Sequence, residues 1–134
     1  MKLNHLLLFY AVVAVMFCAG LLVLPAFWIT LYGAHADPQA TVLLRLVGAL
    51  FGGLSVMAWT GRNAELETRK AMALGLAIAN VFAAVVAVLA ATSGVYDQFA
   101  WGPVATFSLF AIAFLLTGRH EMPGRMAKRD GAAV

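Results

Sequence analysis

Four stretches of about twenty mainly apolar residues occupy most of this chain, and they restrict its fold more than any other feature. A helix needs roughly 20 such residues to cross the hydrocarbon of a bilayer. The stretches run from about residue 6 to 31, 41 to 60, 71 to 91 and 99 to 117. The connections between them, residues 32–40, 61–70 and 92–98, are short, so consecutive spans must run antiparallel. The expected fold is an all-α, four-transmembrane-helix bundle of up-down-up-down order, forming one domain over residues 1–134 with a polar tail from 118 to 134. The composition agrees: 63% of residues are apolar and 11% charged. Soluble domains carry about 25% charged residues, so a soluble enzyme, a disordered chain and a nucleic-acid binder are excluded as readings.

The first stretch is the longest. At about 1.5 Å per residue it exceeds a hydrocarbon core of about 30 Å. Pro25 lies in its last third, so tilt or a proline kink should absorb the excess. Lys2, the apolar run and Ala34-His35-Ala36 together resemble a signal peptide and its cleavage site. The usual apolar core of such a peptide is about 7–15 residues, so an uncleaved anchor is expected.

Charge sets the expected orientation. Lys2, Arg62, Arg69, Lys70, Arg119, Arg125, Lys128 and Arg129 all fall on one side of the spans, while the first and third connections carry Asp37 and Asp97 and no Lys or Arg. Basic residues collect on the cytoplasmic side. Both termini are therefore expected in the cytoplasm. Trp28, Tyr32, Tyr96 and Trp101 gather at the opposite boundary as interface anchors, with Trp59 at the inner one.

Helix contacts in membranes depend on small residues and polar groups, because lipid tails are as apolar as Leu. In the second span Thr41, Arg45, Gly48, Gly52, Ser55 and Trp59 share one face, and Gly48 and Gly52 form a GxxxG pair. Leu43, Val47, Leu50, Leu54 and Met57 form the opposite face, expected to meet lipid. In the third span Ala73, Ala77, Asn80, Ala84 and Ala87 share a heptad row. A second row, with Gly75, steps by four residues and winds around the helix. Gly48, Gly52, Ser55, Gly75, Ala77 and Ala84 are the expected packing residues, and the second and third spans the expected packed centre. The first span offers a weaker row, Ala11, Ala14, Cys18, Leu21 and Pro25.

Two residues are candidates for binding. Arg45 is the one charged residue inside a predicted span, and a charge in hydrocarbon costs a few kcal/mol or more. It either snorkels outward to pair with Asp37 or Asp97, or it binds an anion, a headgroup or a quinone-like carbonyl. Asn80 lies near the middle of its span among alanines, where a lone amide fixes helix register or touches a ligand. No Asp or Glu lies within a span, no metal-ligand spacing occurs, and Cys18 is the only cysteine. No cofactor and no catalytic residue is expected.

The segment Thr106-Phe107-Ser108-Leu109-Phe110 resembles the TFSxF segment of dual-topology fluoride channels. There the segment lies in the third of four spans. Here it lies in the last, and the one-sided charge opposes dual topology. More broadly, Arg45-Leu46-Val47-Gly48 leading to Trp59 and a basic loop is similar to small uncharacterised four-span bacterial membrane proteins. That resemblance implies a fold and a place in the bacterial inner membrane, and no activity. The leading expectation for function is a non-catalytic accessory or scaffold subunit packing against other membrane proteins or copies of itself, in contact with lipid and not with nucleic acid. The alternatives are a small oligomeric transporter or channel lined by Arg45, Gly48, Gly52 and Ser55, and a binder of lipid, quinone or pigment between spans.

Overall fold

The computed structural model describes residues 2–94 and 97–120, with side chains as far as Gly118. The elements are α1 (Leu3–Val23), α2 (Pro25–Leu31), α3 (Pro38–Gly61), α4 (Leu66–Thr92), a 3-10 turn (Gln98–Ala100) and α5 (Trp101–His120). Among the described residues the structure is all-helical. Four helices are long and apolar enough to cross a membrane: Leu3–Val23, Pro38–Gly61, Leu66–Thr92 and Gln98–Gly118.

The first predicted span is divided. Leu24 leaves the helical region at φ −124° and ψ 49°, directly before Pro25. Proline disfavours helical backbone in the residue before it. The 21 residues of α1 then span about 32 Å, so no tilt is needed to fit the hydrocarbon. The break also lets α2 fold back. A Cβ at Gly20 would lie 2.9 Å from Trp28 Nε1, so glycine there makes room for the indole. At the start of α3, the Asp37 carboxylate accepts a 2.7 Å hydrogen bond from the Ala40 N–H, and Pro38 occupies the first turn. This is the usual chemistry of a helix start.

The helices form two antiparallel hairpins. α1 packs along α3, and α4 packs along α5, whereas α3 and α4 touch little despite being consecutive. This corrects the expectation that the second and third spans form the packed centre. α1 is the most buried of the four spanning helices.

The hairpins join at the end that carries Lys2, Arg62, Arg69 and Lys70, called here the basic end. The buried cluster lies in that half: Leu3, Leu6, Leu7, Tyr10, Ala11 and Ala14 of α1 meet Ala58, Ala73, Leu76, Ala77, Phe110 and Phe114. Tyr10 is held edge-on between Phe110 and Phe114, with ring centroids 4.9 and 5.3 Å away. Edge-to-face pairs at such distances add about 0.5–1.5 kcal/mol beyond their burial.

Candidate functional site

At the other end, called the acidic end for Asp37 and Asp97, the hairpins stand apart around an open cavity of about 760 Å³. Its α3 wall is Ala40, Leu43, Leu44, Val47 and Phe51. Its α4 wall is Phe82, Ala83, Val86, Ala87 and Ala90, and Ile29, Ala100, Pro103 and Phe107 complete it. Ala83, Ala87 and Ala90 put three small side chains on the α4 wall, beside the larger Phe82 and Val86. Phe51 and Phe107, nearly parallel at 8° with centroids 6.2 Å apart, line the cavity and bridge the two hairpins. Phe17 stacks on the same Phe51 at 5.6 Å.

Among the described residues three polar side chains line the cavity: Tyr32, His35 and Asp37, all in the connection between α2 and α3. Tyr32 is half-buried, and burial pushes its phenol above the usual value, so the hydroxyl keeps its proton. Across the rim, the Asp97 backbone N–H donates to the Tyr32 carbonyl at 3.0 Å. The Asp97 carboxylate packs where a Cβ of Gly33 would stand, and Gly33 has φ +77°. Both facts require glycine at that position. An apolar chamber with a few convergent polar groups is the ordinary form of a small-molecule site, and its volume falls in the common range of about 300–1,000 Å³. Leu43 and Val47, expected to face lipid, are part of its wall. Of the same expected face, Leu50 and Met57 are exposed, and Leu54 packs against the core.

Arg45 is exposed on α3 and makes no ion pair among the described residues, so the expected partnership with Asp37 or Asp97 is absent. It is also outside the cavity wall. Its position on the helix turns it away from the face that carries Val47 and Phe51. Asn80 is 2% exposed. Its amide donates to the Leu76 carbonyl at 2.8 Å and lies 3.5 Å from the Tyr10 hydroxyl, linking α4 to α1. The polar link is thus within the chain.

The small face of α3 meets α1. A Cβ at Gly48 would stand 3.0 Å from Leu21 Cβ, one at Gly52 would stand 3.0 Å from Cys18 Sγ, and the Ser55 hydroxyl donates to the Ala11 carbonyl at 2.8 Å. These residues line the contact between α3 and α1. Ala77 is buried and Ala84 half-buried, while Gly75 is exposed with nothing within 4 Å of a Cβ built on it. The first half of the four-residue row, Ala71, Gly75 and Ala79, is thus exposed, while Ala83 and Ala87 further along it turn inward. Trp28, Tyr32 and Trp101 lie at the acidic end, and Tyr96 is outside the described residues. At the basic end the Arg62 guanidinium sits 3.6 Å over the Trp59 ring.

Sequence reasoning missed Tyr10 and the cavity. A tyrosine one-third of the way into an otherwise apolar span was the available signal for Tyr10, since a buried phenol needs a partner. The cavity had none, because Ala, Val, Leu and Phe serve equally for core, lipid face and ligand wall. Among the described residues no three His, Cys, Asp or Glu converge as a metal site would require.

No curated protein and no solved structure matches the chain. A family model matches residues 1–118, through the last apolar helix, and the chain therefore belongs to that family, a domain of unknown function, DUF8292.

Proposed function

We propose that this is a non-catalytic integral membrane protein that holds a lipid-like molecule between its two hairpins. The observation that carries this reading is the cavity at the acidic end, walled by apolar side chains and, among the described residues, polar at Tyr32, His35 and Asp37. Water occupies apolar cavities poorly. A hydrocarbon chain gains dispersion contacts with every wall. Under the positive-inside rule the acidic end faces outward, with both termini in the cytoplasm, and the four-span resemblance favours a bacterial inner membrane. The polar rim then sits at headgroup depth, where an amphiphile changes from tail to head. The test is purification in mild detergent followed by mass spectrometry of the extracted lipophilic molecules. Wild type should retain such a molecule, and Ala83→Phe, which fills the wall, should lose most of it. Equal retention in both proteins would sink the reading.

A second reading, an accessory subunit or self-assembling scaffold, draws on a different face. Ala71, Gly75 and Ala79 on α4 are all exposed. Small residues in a row permit close approach of another helix. A Gly75→Cys variant should cross-link to a partner or a second copy in native membranes if that face is used, and should stay monomeric if lipid covers it.

A further inference from the structure

We infer that the mouth of this cavity selects an amphiphile whose headgroup bears a primary ammonium, as an aminophospholipid does, with Asp37 meeting the ammonium. The inference rests on the cavity reading above and adds the chemistry of the headgroup. Asp37 uses Oδ1 to cap α3, accepting from the Ala40 N–H at 2.7 Å. A carboxylate has about four acceptor positions, so Asp37 can accept further donors while it caps. Neither connection at this end, residues 32–40 or 92–98, contains Lys or Arg. Arg45 lies outside the cavity wall, and Asp97, bonded through its backbone to Tyr32, adds a second negative charge beside the rim. A purely anionic headgroup would find two carboxylates and no counter-charge. An ammonium finds its complement.

The remaining rim groups suit the rest of such a head. The Tyr32 hydroxyl and the His35 ring form no hydrogen bonds among the described residues, and both line the cavity. Each can donate to a phosphate or ester oxygen next to the ammonium. The two ends of a zwitterionic head would thus meet a carboxylate and hydrogen-bond donors within one connection.

The experiment compares binding of phosphatidylethanolamine and phosphatidylglycerol with matched acyl chains to the full-length protein in detergent, read by native mass spectrometry. Wild type should favour the ethanolamine lipid by up to about fivefold, the scale of an exposed charge pair. Asp37→Asn should abolish that preference without unfolding α3, because Asn caps a helix about as well as Asp. An unchanged melting temperature checks the fold. Ala83→Phe should weaken both lipids together. If wild type binds both lipids equally, or if Asp37→Asn keeps the preference, the headgroup assignment is overturned while the cavity reading stands. If neither lipid binds saturably and Ala83→Phe changes nothing, both are overturned.

Discussion

The Ser55 hydroxyl donates a 2.8 Å hydrogen bond to the Ala11 carbonyl, joining α3 to α1 across a buried contact. The bond forms because Gly52 and Gly48, about one and two turns away on the same face, carry no side chains and let the backbones approach. Interhelical hydrogen bonds of this kind contribute about 0.6 kcal/mol on average, and up to about 1.7. Ser55→Ala should therefore lower stability by about that amount in a reversible unfolding assay in detergent. A loss above about 3 kcal/mol would show that the hydroxyl holds more than this bond.

Gly48 and Gly75 should respond oppositely to the same change. At Gly48 even a Cβ stands 3.0 Å from Leu21 and 3.3 Å from the Cys18 carbonyl, so Gly48→Leu must separate α1 from α3. Overpacking of this kind costs about 1–3 kcal/mol or more. Gly75→Leu meets open space and should leave the thermal midpoint of the isolated chain unchanged or raise it, since glycine is a weak helix former. Equal losses would contradict the two-hairpin packing.

Tyr10 and Asn80 should be coupled. Tyr10→Phe leaves the ring packed between Phe110 and Phe114 but removes the oxygen that faces the Asn80 amide. Because Asn80 retains its Leu76 carbonyl, the loss should be modest, about 0.5–1 kcal/mol. Asn80→Leu should cost more, because a branched side chain must fit a site that is 2% exposed. The double variant should cost less than the two singles together. Strict additivity would mean that the 3.5 Å approach carries no energy.

Arg45 should show no coupling to either acidic residue. It is exposed and unpaired among the described residues. Arg45→Ala combined with Asp37→Asn or Asp97→Asn should give the sum of the single effects within about 0.5 kcal/mol. A larger deviation in the double-mutant cycle would restore a structural ion pair. Arg45→Lys should be close to neutral, since a lysine also snorkels to headgroup depth.

The charge distribution predicts topology independently of packing. Reporter fusions after Gln39 and Gln98 should read as external, and one after Asn63 as internal, because all the loop and tail Lys and Arg share one side. An internal signal after Gln39 would reverse the orientation and move the cavity rim to the cytoplasmic face.

The sequence by itself determined that four apolar helices run through the chain, because length and hydropathy are properties of each segment alone. It also marked Gly48, Gly52 and Ser55 as one face, since helical period fixes which residues share a side. It could not choose the neighbour of that face. Small residues accept any helix, and only the fit of Gly48 and Gly52 to Leu21 and Cys18 selects α1. Pro25 announced a disturbance in the first span, but the fold-back of Trp28 over Gly20 decided that it is a break between two helices. The same limit hid the cavity. Val47 and Ala83 are apolar wherever they point, and only the separation of the hairpins at the acidic end makes them walls of one cavity.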